Sequence, residues 1–174
     1  MKNVLFILAL YFCTITGAMA QTEKGGFRLG GSTSVDFLNS KHAGYEFKAS
    51  ELNIDVSGGY FIIDNLSVDI GIDYNMQKES GDNNTATVIM GEAGIRYYLP
   101  VKVFFASSFN FLSLDYAREW TTGTAISLKT GYAWFVKDNI ALEPSVGYRI
   151  GLSNKKRFTK YDQLSLWLGF SVYF

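Results

Sequence analysis

The chain has 174 residues, 48% of them hydrophobic and 16% aromatic, with 17 glycines, only two prolines and 18% charged side chains. Sixteen basic residues balance sixteen acidic ones, which excludes the strongly basic surface of a nucleic-acid binder. A single cysteine (Cys13) and a single histidine (His42) exclude disulfide frameworks and Cys/His zinc clusters, and no cofactor or metal motif is present.

At the N-terminus, Met1-Lys2-Asn3 is a short positive start. The apolar run Val4–Phe12 follows, and then the small-residue site Ala18-Met19-Ala20. This order predicts a signal peptide over residues 1–20, cleaved before Gln21. The apolar run is well short of the roughly 20 residues a bilayer helix needs. A lipid anchor on Cys13 is not expected, because Phe12 stands where a lipobox has a small residue. The mature chain, 21–174, lacks cysteine and carries one net negative charge. No later stretch is apolar enough for a membrane helix, so a membrane-spanning form must cross as strands.

From there the hydrophobic pattern has a period of two, the period of a β-strand. Phe27, Leu29, Val35 and Phe37 oppose Arg28, Ser32, Ser34 and Asp36; Leu52, Ile54, Val56 and Tyr60 oppose Asn53, Asp55, Ser57 and Gly59. Leu66, Val68, Ile70, Ile72, Tyr74 and Met76 alternate with Ser67, Asp69, Gly71, Asp73 and Asn75. Residues 87–99 alternate more loosely, with Ile89, Ile95, Tyr97 and Leu99 opposite Glu92, Gly94, Arg96 and Tyr98. Segment 102–115 is ambiguous, because Phe104-Phe105 and Phe111-Leu112 put apolar residues on both faces. The pattern returns with Ile126, Leu128, Tyr132, Trp134 and Val136 opposite Ser127, Lys129, Gly131 and Ala133. Ile140, Leu142, Val146, Tyr148 and Ile150 then oppose Ala141, Glu143, Ser145, Gly147 and Arg149. The last and clearest run sets Leu164, Leu166, Leu168, Phe170, Val172 and Phe174 against Gln163, Ser165, Trp167, Gly169, Ser171 and Tyr173. Eight strands are predicted. Pro144 has no N–H to give to a ladder, so a bulge or a distorted register is expected there, with the register beyond it one residue off.

Two kinds of connection alternate. Ile63-Asp64-Asn65, Pro100-Val101-Lys102 and Lys137-Asp138-Asn139 read as tight turns. The segments 61–66 (FIIDNL) and 135–140 (FVKDNI) look like copies of one turn. Longer polar loops are expected over 39–50, 77–86, 115–123 and 153–162. Tight turns at one end and longer loops at the other describe an all-β, antiparallel up-and-down sheet in a single domain.

The apolar faces of the seven clear strands carry no Asp, Glu, Lys or Arg, and ten charged residues fall on the opposite face: Arg28, Asp36, Asp55, Asp69, Asp73, Glu92, Arg96, Lys129, Glu143 and Arg149. A basic side chain on a lipid-facing surface costs about 2–4 kcal/mol near the midplane, so this segregation fits lipid outside and a compensated charge network inside. Aromatics gather towards strand ends, with Phe27, Tyr60, Tyr97, Trp134 and Phe174 at one end and Phe37, Tyr74 and Tyr148 at the other, as interfacial girdles do. Eight strands enclose an interior that side chains just fill, so a polar plug is expected rather than a wide channel. Phe61, Tyr98, Phe135 and Tyr173 would close one end.

The ending Leu166-x-Leu168-x-Phe170-x-Val172-x-Phe174 resembles the carboxy-terminal signature of Gram-negative outer-membrane barrels. The mature chain as a whole is similar to the small eight-stranded OmpA/OmpX-like family. That resemblance implies a transmembrane β-barrel in the outer membrane with both termini in the periplasm. It implies contact with outer-membrane lipid and lipopolysaccharide, and assembly by the barrel-assembly machinery through Phe170, Val172 and Phe174. It further implies a monomer with a non-enzymatic structural or surface-interaction role. Nothing follows Phe174, so the peptidoglycan tethering of the family's larger members is not expected. Lys155, Lys156, Arg157 and Lys160 are candidate contacts for lipopolysaccharide phosphates, and Tyr116 and Trp120 mark a second candidate surface. Three alternatives stand beside this reading. One is a small ion-conducting porin. Another is a lipid A-modifying enzyme using His42 with Ser40, Ser50 or Glu51. The third is a secreted soluble barrel of lipocalin type, with the same alternation turned inside out.

Overall fold

The computed structural model describes residues 22–42, 45–47, 50–78, 85–116, 119–152 and 162–174, and side chains within 22–35, 53–75, 88–113, 122–152 and 163–174. Residues 1–20 and the basic segment with Lys155, Lys156, Arg157 and Lys160 lie outside the described residues, as do the side chains of Asp36, Phe37 and His42. The strands are β1 (Phe27–His42), β2 (Tyr45–Phe47), β3 (Ser50–Ile63), β4 (Leu66–Lys78), β5 (Thr85–Tyr98), β6 (Val103–Tyr116), β7 (Glu119–Tyr132), β8 (Trp134–Lys137), β9 (Ile140–Gly151) and β10 (Asp162–Tyr173).

These ten segments make an eight-stranded antiparallel barrel. β2 pairs only with the far end of β1, and β7 and β8 lie end to end against β9 as one barrel strand. β10 pairs with both β9 and β1, which closes the sheet. Followed perpendicular to the strands, the pairing runs Leu29, Gly58, Ile70, Ala93, Phe109, Ile126, Ile150, Asp162 and returns to β1 at Asn39, ten residues further along. That stagger is what tilts the strands of a closed barrel against its axis. Because it is even, every strand keeps its apolar parity outward all the way round.

The burial pattern is the reverse of a soluble domain. Ile70, Ile72, Phe111 and Leu168 are 57–67% exposed, whereas Asn53, Asn110, Ser34, Ser67 and Ser171 are among the largest fully buried side chains. Water would drive the first group in and the second out, so the lipocalin-type alternative does not match this arrangement. Segment 102–115, ambiguous by pattern, resolves with Phe105, Phe109 and Phe111 outward and Phe104, Asn110 and Leu112 inward.

The tight turns lie at one end. Ile63 opposes Leu66 and Lys137 opposes Ile140, each across an Asp-Asn pair. The two similar turn sequences also share a bulge: pairing shifts between Phe61 and Ile63 and between Phe135 and Lys137, with Ile62 and Val136 as the extra residues. The copies part at the last turn residue. Asn65 adopts a left-handed φ of 67°, which Asn tolerates better than most residues, and Asn139 does not. The N-terminal segment straps this end. Thr22 Oγ1 donates to Asn65 Oδ1 at 2.6 Å, Asn65 N–H donates to Thr22 O at 2.7 Å, and Gly25 N–H donates to Phe61 O at 2.8 Å. Phe174 exchanges backbone hydrogen bonds with Phe27, so both ends of the described chain sit beside the tight turns.

Two expectations are corrected. Two of the polar stretches at the other end, 39–50 and 115–123, are largely strand among the described residues: β6 and β7 pair through Tyr116 opposite Glu119, and β1 continues beside β2 to His42. Polar residues on both faces mark strands that have left the apolar belt as well as loops. Second, Pro144 causes no change of register. Gly131 opposes Ser145 and Trp134 opposes Leu142, so pairing resumes in the same register after a local interruption beside Pro144, and the β9–β10 ladder runs unbroken past Leu168 opposite Pro144. The missing N–H therefore falls on the β7–β8 side, where the ladder breaks between Tyr132 and Trp134. Pro144→Ala restores one backbone donor in an exposed wall position. The urea midpoint of the detergent-folded protein is expected to stay level or rise, by up to about 0.5–1.5 kcal/mol in stability, the usual net value of one hydrogen bond.

Candidate functional site: the interior charge network

Inward-facing residues from β1, β3, β4, β5, β6, β7, β9 and β10 form layers along the barrel axis. At the turn end, Phe61, Tyr98, Phe104 and Tyr173 pack together with Ala133 and Ala141, and the partly buried Phe135 joins them. Ring centroids of Phe61 and Tyr98 are 5.9 Å apart, of Tyr98 and Phe104 5.7 Å, and of Phe135 and Tyr173 5.1 Å. These separations are those of packed aromatic pairs.

Above this layer lies the densest charge cluster. Asp69 Oδ2 is 2.9 Å from Arg28 Nη2 and 3.1 Å from Arg96 Nε, and its Oδ1 accepts a hydrogen bond from Ser67 at 2.6 Å. Arg96 Nη1 reaches Glu143 Oε2 at 2.8 Å, and Tyr173 donates to Glu143 Oε1 at 2.6 Å. With its proton committed to Glu143, Tyr173 accepts from the Tyr98 hydroxyl at 3.0 Å, and Tyr98 in turn accepts from Arg96. Arg28 also donates to Ser57 and Ser171. Two guanidinium groups and two carboxylates therefore cancel, and the tyrosines of the aromatic layer join the cluster through their hydroxyls. The guanidinium of Arg96 also lies 4.6 Å from the Phe104 ring centroid, so it bridges the two layers.

Higher in the barrel the charges are spread out. Arg149 pairs with Asp73 at 3.4 Å and donates to Gln163 and Ser127. Asp55 accepts from Ser32 at 2.9 Å, and Glu92 accepts from Ser108 at 3.2 Å. Lys129 lies within 4 Å of no carboxylate among the described residues; its ammonium sits 4.0 Å from the centroid of the Trp167 ring. Asn53 bonds to Ser34 and Asn75, and Asn110 reaches Ser127 and the carbonyl of Ala125. Thus Arg28, Asp69, Arg96 and Glu143 come together, Asp73 and Arg149 form a separate pair, and Asp55, Glu92 and Lys129 are held by neutral groups. The side chain of Asp36 lies outside the described residues. Alternation points Ser32, Ser57, Ser171, Gln163 and Trp167 inward, but not to their partners, because each contact joins different strands and depends on register; Ser108 lies in the ambiguous segment 102–115, where alternation does not place it.

The space left is small. A cavity of about 40 Å³ beside Glu92, Ser108, Lys129 and Trp167 has room for a few water molecules, and another of about 10 Å³ lies near Arg28 and Ser57. Among the described residues no group of His, Cys, Asp and Glu is arranged to hold a metal ion.

A closed, staggered eight-stranded sheet with an apolar exterior and a charge-compensated interior defines the class of transmembrane β-barrels. Residues 5–174 match the family described as outer membrane protein beta-barrel domain, and the chain belongs to that family, which places it in the outer membrane. Solved structures agree on the fold. The attachment invasion locus protein Ail of Yersinia pestis superposes with a TM-score of 0.58 at 11% identity, over 87% of this chain and 99% of Ail. Neisserial surface protein A gives 0.59 at 18% identity, over 86% and 99%. The outer membrane protein AlkL gives 0.57 at 14%, over 87% and 91%. No curated protein sequence matches the chain.

Removing the shared acid of the cluster leaves two buried guanidinium groups facing each other. Asp69→Ala is expected to cost about 3–5 kcal/mol, read as a lower urea midpoint in detergent. A Cβ at Gly59 would stand 2.3 Å from Asp69 Oδ1, so Gly59→Ala is expected to lower the midpoint too, by displacing the carboxylate, whereas Gly91→Ala, where a Cβ meets nothing within 4 Å, is not.

Proposed function

We propose that the protein is a monomeric, non-enzymatic barrel of the Gram-negative outer membrane whose role is surface interaction and envelope integrity. The observation that carries this reading is that strands overrun the membrane at one end. A transmembrane strand needs about 9–11 residues. β6 and β7 have 14 each and stay paired to Tyr116 and Glu119, and β1 has 16, with β2 beside its far end. Paired ribbons standing beyond the belt are a surface for contact. In this reading they face outward, the strapped end with its tight turns and both termini faces the periplasm, and residues 1–20 are removed as a signal. The barrel-assembly machinery reads Phe170, Val172 and Phe174. The bases Lys155, Lys156, Arg157 and Lys160 engage lipopolysaccharide phosphates.

The filled interior and the aromatic layer argue against the porin alternative. Wild-type protein in planar bilayers is expected to give no steady unit conductance; regular conductance steps would favour the porin. Replacing Lys155, Lys156, Arg157 and Lys160 with Ser is expected to reduce co-purified lipopolysaccharide several-fold, and unchanged lipid content would remove that contact from the account. An unaltered lipid A acyl pattern with and without the protein is the result expected of a non-enzyme.

A further inference from the structure

The lipid-facing wall is not evenly convex. Two neighbouring outward rows, Ile95–Ser107–Leu128–Tyr148–Leu164 and Tyr97–Phe105–Thr130–Val146, border an apolar groove that crosses β5, β6, β7, β9 and β10 along the pairing direction, oblique to the barrel axis. Its floor is made by Ser107 and Thr130, diagonal neighbours that are small where most outward positions are large. Thr130 turns its hydroxyl onto the carbonyl of Phe104 at 3.0 Å, which leaves its methyl for the groove. On the lumen side of the same wall, a Cβ built on Gly94 would stand 2.3 Å from the Ser107 carbonyl oxygen and 2.7 Å from Ser108 Cα, so β6 approaches β5 closely behind Ser107, and only a glycine admits it.

We propose that this groove seats one acyl chain of a phospholipid in a long-lived position. The occupant follows from place and shape. The groove lies in the belt, where alkyl chains are the surrounding phase. Crossing four inter-strand spacings of about 4.8 Å makes it roughly 19 Å long, which is of the order of one chain. Ser107 is four residues from the start of β6 at Val103, or about 13 Å along the strand and roughly 10 Å in height at a tilt near 40°. In a belt about 25 Å tall, the floor is then in the half nearer the tight turns. Given the orientation proposed above, that half is the periplasmic leaflet, where the chains belong to phospholipids. Tyr97, 44% exposed, ends the groove on that side and puts a hydroxyl near the level of the headgroups.

Electron paramagnetic resonance of the full barrel in phosphatidylcholine vesicles, with a fraction of the lipid carrying a nitroxide on one chain, tests this independently of orientation. Wild type is expected to hold about one more motionally restricted chain per barrel than Ser107→Leu or Thr130→Leu, each of which fills part of the floor with a side chain the belt accepts. Ser107→Ala, which keeps the dent, is expected to match wild type. Equal numbers in wild type and both leucine variants would overturn the proposal. So would efficient disulfide dimerisation of Ser107→Cys in the same vesicles, which would show a second copy seated there. Either result would leave the surface role untouched.

Discussion

Pairing of the first barrel strand with the last is the contact on which the rest depends. From Arg28 opposite Tyr173 to Asn39 opposite Asp162, β1 and β10 meet in unbroken register. Hydrocarbon offers no partner to a backbone N–H or C=O, and each unsatisfied group there costs several kcal/mol, so an open sheet edge is excluded from the membrane. Closure also creates an inside. The even stagger lets each strand send one parity of residues to lipid and the other to an enclosed space.

That space holds charge away from bulk water. A lone guanidinium in it would be strongly destabilising, and the structure meets the problem with shared partners. Asp69 serves Arg28 and Arg96, Glu143 serves Arg96, and serine and tyrosine hydroxyls take up the remaining valences of the carboxylates. The cluster ties β1, β4, β5 and β9 together across the lumen, in addition to the ladder that joins neighbours. Below it, the aromatic layer fills the turn end, and the Thr22–Gly26 strap lies over the Asp64–Asn65 turn. The barrel is thus packed at one end, polar in the middle and extended into ribbons at the other.

Much of this was legible because a strand's period is two and a membrane face tolerates so few charges. The parity of Leu66–Tyr74 and Leu164–Phe174 in the structure is the parity of their hydropathy. Alternation failed over 102–115 for a physical reason: Phe104 faces inward as part of the aromatic layer, and Leu112 does so against Met90 and Ala125, so apolar residues occupy both faces. Pro144 was misleading because a proline whose missing N–H points to one neighbour interrupts that ladder alone. The polar ends of β6 and β7 resembled loops because outside the belt a ribbon is wet on both faces. Partner choice inside the barrel was not legible at all. Asp69 meets Arg28 and Arg96, and Lys129 meets Trp167, through register between strands, which hydropathy does not encode.

The central claim is that the apolar parity of every strand faces lipid and the polar parity a filled interior. Nitroxide side chains placed one at a time at Ser67, Val68, Ile70, Gly71 and Ile72 of β4, in bilayers, test it most directly through collision with dissolved oxygen and with a water-soluble nickel complex. High oxygen and low nickel accessibility at 68, 70 and 72, with low accessibility to both reagents at 67 and 71, is the predicted result. Strong nickel accessibility at 68, 70 and 72, or no alternation between the two sets, would contradict the account.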